Sequence, residues 1–154
     1  MGLDMYLKAE QYVTPKLGWG PDAPANPAHT KLIEAVKFDP RTDERLAEHI
    51  GIYGVTVSTT VAYWRKANSI HAWFVDHVQN GQDDCRDYSV TVEQITELRD
   101  LAARVLTDPA KLGPELLPSR EGFFFGSYDY DEWYVEDLQN TVTQLDAVLD
   151  LVKG

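Results

Sequence analysis

At 154 residues the chain has the length of one ordinary domain, enough to bury roughly two thirds of the surface its unfolded form exposes. A formal charge of −11 and a pI near 4.6 create a field that repels phosphate, which excludes bare nucleic acid and anionic membrane as direct partners and favours cationic, neutral or protein ones. The single cysteine, Cys85, excludes an internal disulfide, and no membrane-length apolar run or signal-peptide start is present, so a reducing cytosol is the expected setting.

Leu3 to Val13 alternates Leu3, Met5 and Leu7 with Asp4, Tyr6 and Lys8, the period of a half-buried strand. Thr14 to Pro27 holds four prolines and little periodicity, which predicts an irregular surface loop running to about residue 30. Lys31 to Val36 is ambiguous, and Arg41 to Ile50 fits a helix presenting Leu46 and Ile50. Gly54 to Tyr63 is rich in β-branched residues and predicts a second strand. It feeds directly into a helix in which Trp64, Ala67, His71, Phe74 and Val78 share one face, with Gly81 placed to end it in a left-handed turn. Arg86 to Val90 reads as a short strand.

Thr91 and Gln94 form a capping box before a helix striped by Ile95, Leu98, Ala102 and Val105, with Pro109 as its downstream limit. Leu112 to Ser119, with two prolines and a glycine, predicts a connection; Phe123 to Phe125 predicts a buried strand. The final helix carries Val135, Leu138, Val142, Leu145, Leu149 and Val152 at alternating steps of three and four. That stripe suits an intramolecular groove or the seam of a dimer, so monomer and dimer both remain open. Together these elements predict an α+β fold: a single domain over residues 1–154, about three main helices packed on a small, mostly antiparallel sheet.

Two blocks stand out, Tyr63 to Cys85 and Glu121 to Leu138, where aromatic side chains alternate with charges and amides at positions that packing alone does not demand. In the first, Arg65, Lys66, Asn68 and His71 with Trp64 and Trp73 fit a pocket for an anion or a nucleotide, since cations hold charge and indole faces stack on flat rings. Pairing of Arg65 and Lys66 with the acids of the C-terminal half is the competing reading. In the second, Tyr128, Asp129, Tyr130, Asp131, Glu132 and Trp133 fit a surface for a basic protein, because Tyr and Trp supply contact area and the acids select a cationic partner. Packing into the core competes there, and a hydrolase-type carboxylate pair ranks third. His71, Asp76, His77, Asp83, Asp84 and Cys85 include metal-ligand residue types without a metal-ligand spacing, and no nucleotide or nucleophile motif occurs, so neither metal nor cofactor is expected.

The strings YWRKANSIHAWFV, QNGQDDC, LLPSREGFFFGS and YDEWYVEDL, with the opening MGLDMYL, resemble a family of small uncharacterised acidic proteins of bacteriophages, prophages and some bacteria, with no assigned activity. The resemblance spans the first strand and most of Tyr63 to the C-terminus. It implies a phage accessory protein of the bacterial host cytoplasm, of a kind that often acts by binding a host or defence protein, and the leading expectation is a non-enzymatic acidic protein that binds, and in doing so can inhibit, such a target. A small-molecule ligand near Trp64 to Trp73 is the alternative, and a hydrolase-type enzyme the third.

Overall fold

Alternating side chains and a β-branched run produce the two strands the sequence predicts, β1 (Asp4–Val13) and β2 (Val55–Arg65), which pair antiparallel as a two-stranded sheet. The computed structural model describes residues 4–36, 53–120 and 129–153. The register places Tyr63 beside the start of β1. Its hydroxyl donates to Asp4 Oδ1 at 2.6 Å, and its ring lies 5.0 Å from that of Tyr6. Near the far end of β1 the Tyr12 ring lies against Gly54, where any Cβ would collide with it.

Among the described residues there are five helices, the first between the two strands and the rest after β2: α1 (Pro27–Val36), α2 (Asn68–His77), α3 (Val92–Val105), α4 (Pro109–Leu116) and α5 (Glu132–Lys153). The α+β class therefore holds, but with two more short helices than the three main ones expected among the described residues. Both begin at a proline, whose fixed φ suits a first helical position. For α1 the Asn26 side chain accepts from Ala28 N at 3.1 Å, and Asp108 caps α4. Turn-forming composition thus disguised two helix starts as loop. Residues 27–30 belong to α1, not to the predicted loop, and Leu112 to Leu116 to α4.

Two further differences concern the middle of the chain. Trp64 and Arg65 continue β2 and the helix begins at Asn68, because Lys66 adopts φ 57° and breaks the strand before the helix can start. Residues 86–90 form no strand. Gly81 does adopt the left-handed conformation expected of it, with φ 76° and its N–H bonded to Val75 O at 2.8 Å. The Thr91–Gln94 capping box is present in both directions. The proposed strand at Phe123 to Phe125 and helix at Arg41 to Ile50 lie outside the described residues.

The chain divides into two compact units, Met1–Leu7 with Thr60–Gly154, and Lys8–Thr59. In the first, α3 packs along α5, and Ile70, Leu98, Val105, Leu117, Leu138 and Leu145 are almost wholly buried. Tyr134, Leu138, Thr141, Leu145, Val148 and Leu149 form the buried face of α5, while Val152 is exposed. A strict heptad stripe drifts around a straight helix by about 20° per heptad, so the face shifts before the last turn is reached. In the second unit a loop is pinned by a Lys16–Ala25 bridge and by Leu17 N–H to Pro24 O at 2.8 Å. Gly18 and Gly20, both at positive φ, present Trp19 fully exposed at its tip.

Candidate functional site

Within the larger unit, the two sequence blocks meet. A groove of about 360 Å³ lies between the first turns of α2 and α5. One wall carries Arg65 and Lys66 from the end of β2; the other carries Asp129, Asp131, Trp133 and Asp137. Ser69, Asn68, Ser119 and Tyr134 complete the lining.

Local structure explains each placement. The left-handed turn at Lys66 swings the chain from strand into helix, so that Arg65 and Lys66 stand beside the first turn of α2. Its N-cap, Ala67, supplies no side-chain hydrogen bond, so the first-turn N–H groups keep the partial positive charge of a helix start. Buried Asn68 holds the opposite strand of backbone, donating to Arg120 O and accepting from Arg120 N, each at 2.7 Å. Ser119 is thereby fixed at the rim, its N–H also bonded to Tyr130 Oη at 3.2 Å.

On the acidic wall Asp131 caps α5, accepting from Trp133 N at 3.0 Å and Tyr134 N at 3.1 Å. Tyr134 is buried, donates to Leu117 O at 2.9 Å, and has its phenol pKa raised chiefly by burial. Asp137, one turn on, points the same way. Burial first, then the neighbouring Glu136 and Asp131 charges, push its carboxyl from 3.8 up to about 6. A carboxyl so perturbed and lining a cleft is a mark of a functional position. Among the described residues neither Arg65 nor Lys66 forms an ion pair.

The residues singled out in the sequence divide between groove, core and surface. Arg65, Lys66, Asn68, Asp129, Asp131 and Trp133 line the groove, and Trp133 is 64% exposed. Trp64 and Trp73, only 4% and 3% exposed, are core residues. Trp64 donates to Thr141 Oγ1 at 2.9 Å and packs on Phe74; Trp73 stacks on His77 with ring centroids 4.7 Å apart. Their faces are covered and offer no platform for a base, which corrects that part of the pocket reading. His71 is also buried, bonded through Nε2 to Asp83 at 3.0 Å and through Nδ1 to Met5 Sδ at 3.0 Å. It borders a separate cavity of about 100 Å³ with Asn68, Asp83 and Arg120, whose guanidinium is paired with Asp76.

Tyr130 is half-buried, its ring 4.9 Å from Tyr134, and Glu132 is exposed outside the groove lining. Tyr128 lies outside the described residues. Sequence reasoning passed over Ser69, Ser119, Tyr134 and Asp137. The available signal for the last pair was helical: three positions apart, they share one face of α5 just after its cap. Among the described residues no cluster of three or more His, Cys, Asp or Glu is arranged to hold a metal, and no helix is long and apolar enough to cross a membrane. Comparison with protein-family models, with curated proteins and with solved structures gives no match, leaving the chemistry of the groove to carry the functional argument.

Proposed function

We propose that the protein is a non-enzymatic binding module whose groove receives a basic segment of a partner polypeptide. The observation that carries this reading is the opposition of Arg65 and Lys66, which form no ion pair among the described residues, to a wall of Asp129, Asp131 and Asp137 in one cavity. A ligand with one sign of charge would satisfy half of it. A Lys or Arg side chain on the acidic wall, beside the exposed Trp133 indole, gains charge pairing and a cation–π contact worth about 0.5–2 kcal/mol. A carboxylate or backbone carbonyl of the same segment meets Arg65, Lys66 and the uncapped first turn of α2. The net charge of −11 steers a basic partner toward the molecule. With the resemblance to phage and prophage proteins, the proposed partner is a host or defence protein in a bacterial cytoplasm.

A pull-down from bacterial lysate tests this reading with the wild type beside Asp129→Lys and Arg65→Glu variants. The expected result is a basic protein retained by the wild type and lost from both variants. Equal retention by all three would remove the groove from consideration. A second reading, a small anionic molecule such as a nucleotide, draws on Arg65 and Lys66 beside the uncapped turn of α2. It predicts that nucleotides raise the melting temperature of the wild type and not of Arg65→Ala.

A further inference from the structure

Among the described residues β2 has a strand on one side only, β1, and from Thr56 to Thr60 every residue is exposed, whichever face of the ribbon it occupies. A two-stranded ribbon open on both faces is marginal in water by itself. The edge also lacks the usual guards against pairing. Val55 to Trp64 reads VTVSTTVAYW, with no charge, no proline and five β-branched residues among the six from Val55 to Thr60.

The direction of the open edge is fixed by one contact. Tyr63 N–H donates to Gln144 Oε1 at 2.8 Å, so it points away from β1. By the two-residue period of a strand, the N–H groups of Val55, Val57, Thr59 and Val61 point the same way. Among the described residues none of these four donates to a side chain or to backbone outside the sheet.

We infer that this edge pairs with the same edge of a second copy of the chain, antiparallel and centred on Ser58, to make a four-stranded sheet across a two-fold axis. In that register Val55 faces Val61 of the second copy and Val57 faces Thr59, which are the residues with outward amides, so all four N–H groups on each copy find acceptors. The inward residues match as well, Thr56 against Thr60 and Ser58 against itself. Every pair except the central one is β-branched on β-branched, the kind of cross-strand pair that stabilises a sheet. A two-fold interface requires such self-complementarity. Electrostatics permits the approach: Lys8–Thr59 holds six basic and seven acidic residues, whereas the remainder holds eight and eighteen. Two copies of an acidic protein meet here where they repel least.

Light scattering on the full chain across a concentration series, with amide hydrogen exchange, decides the matter. The wild type is expected at twice 17.4 kDa, with the amides of Val55, Val57, Thr59 and Val61 protected. Thr59→Pro removes one outward N–H and leaves the inward ladder to β1, and Val57→Lys adds a charge; each is expected to weaken dimerisation by more than about tenfold while circular dichroism is retained. A wild type that stays at 17.4 kDa would overturn the inference and leave the edge to a strand of another protein. So would a dimer that survives both substitutions or whose four outward amides exchange freely.

Discussion

The buried apolar cluster, from Leu7 to Leu149, belongs wholly to the unit formed by Met1–Leu7 and Thr60–Gly154, whereas among the described residues of Lys8–Thr59 only His29 is buried. The first region is held by side-chain packing between helices. The second relies on backbone bonds, on two positive-φ glycines, and on His29 Nε2 bonded to Tyr53 O at 2.8 Å. Charge follows the same division, with the acid excess concentrated where the core is. A large core tolerates the self-repulsion of that excess; a region without one stays near neutral.

The sharpest way to break this contrast is to remove core volume. Leu145→Ala, in a site with no exposure, should cost about 2–5 kcal/mol in denaturant unfolding, while Leu17→Ala, 55% exposed, should stay within about 0.5 kcal/mol. Next comes Gly113→Ala. Its Cβ would stand 2.7 Å from the Tyr130 ring and 3.0 Å from Tyr134 Oη, so a loss of about 1–3 kcal/mol is expected, with chemical-shift changes at Ser119 on the groove rim.

Gly18→Ala probes the other region. At φ 109° with open space around it, the cost is backbone strain alone, about 1 kcal/mol, read as faster hydrogen exchange confined to the Lys16–Ala25 loop. The smallest effect belongs to Asp137. Its folded pKa of about 6 exceeds its starting 3.8, so ionisation opposes folding: the penalty is absent below the lower value and complete above the higher. Asp137→Asn should therefore stabilise the protein above pH 6 by roughly 1 kcal/mol after solvent screening, and leave acid stability unchanged. Binding of a cationic segment should run the opposite way and weaken as pH falls through about 6.

Much of this organisation was legible from periodicity. The strand alternation, the capping box at Thr91 and the long last helix all emerge from local rules, because each element's pattern and its environment agree. The short helices α1 and α4 were hidden by prolines, which mark both loops and helix starts. The groove was half legible. Residue type picked out Arg65, Lys66, Asp129 and Trp133, but Trp64 and Trp73 have the same chemistry as a stacking platform and pack inside. What separates a binding tryptophan from a core one is burial by helices distant in sequence, as when Trp64 bonds to Thr141. Asp137 escaped for a related reason: its distinction is a pKa created by its surroundings, which no single residue encodes.

The most direct measurement is an NMR titration of the Asp137 carboxyl in the presence of a capped Arg–Glu peptide, the smallest probe carrying both charges the groove opposes. The account predicts saturable shifts at Arg65, Ser69 and Trp133 and a fall of the Asp137 pKa from about 6, as the bound guanidinium favours the ionised form. No saturable shift, with the carboxyl still titrating near 6, would contradict it.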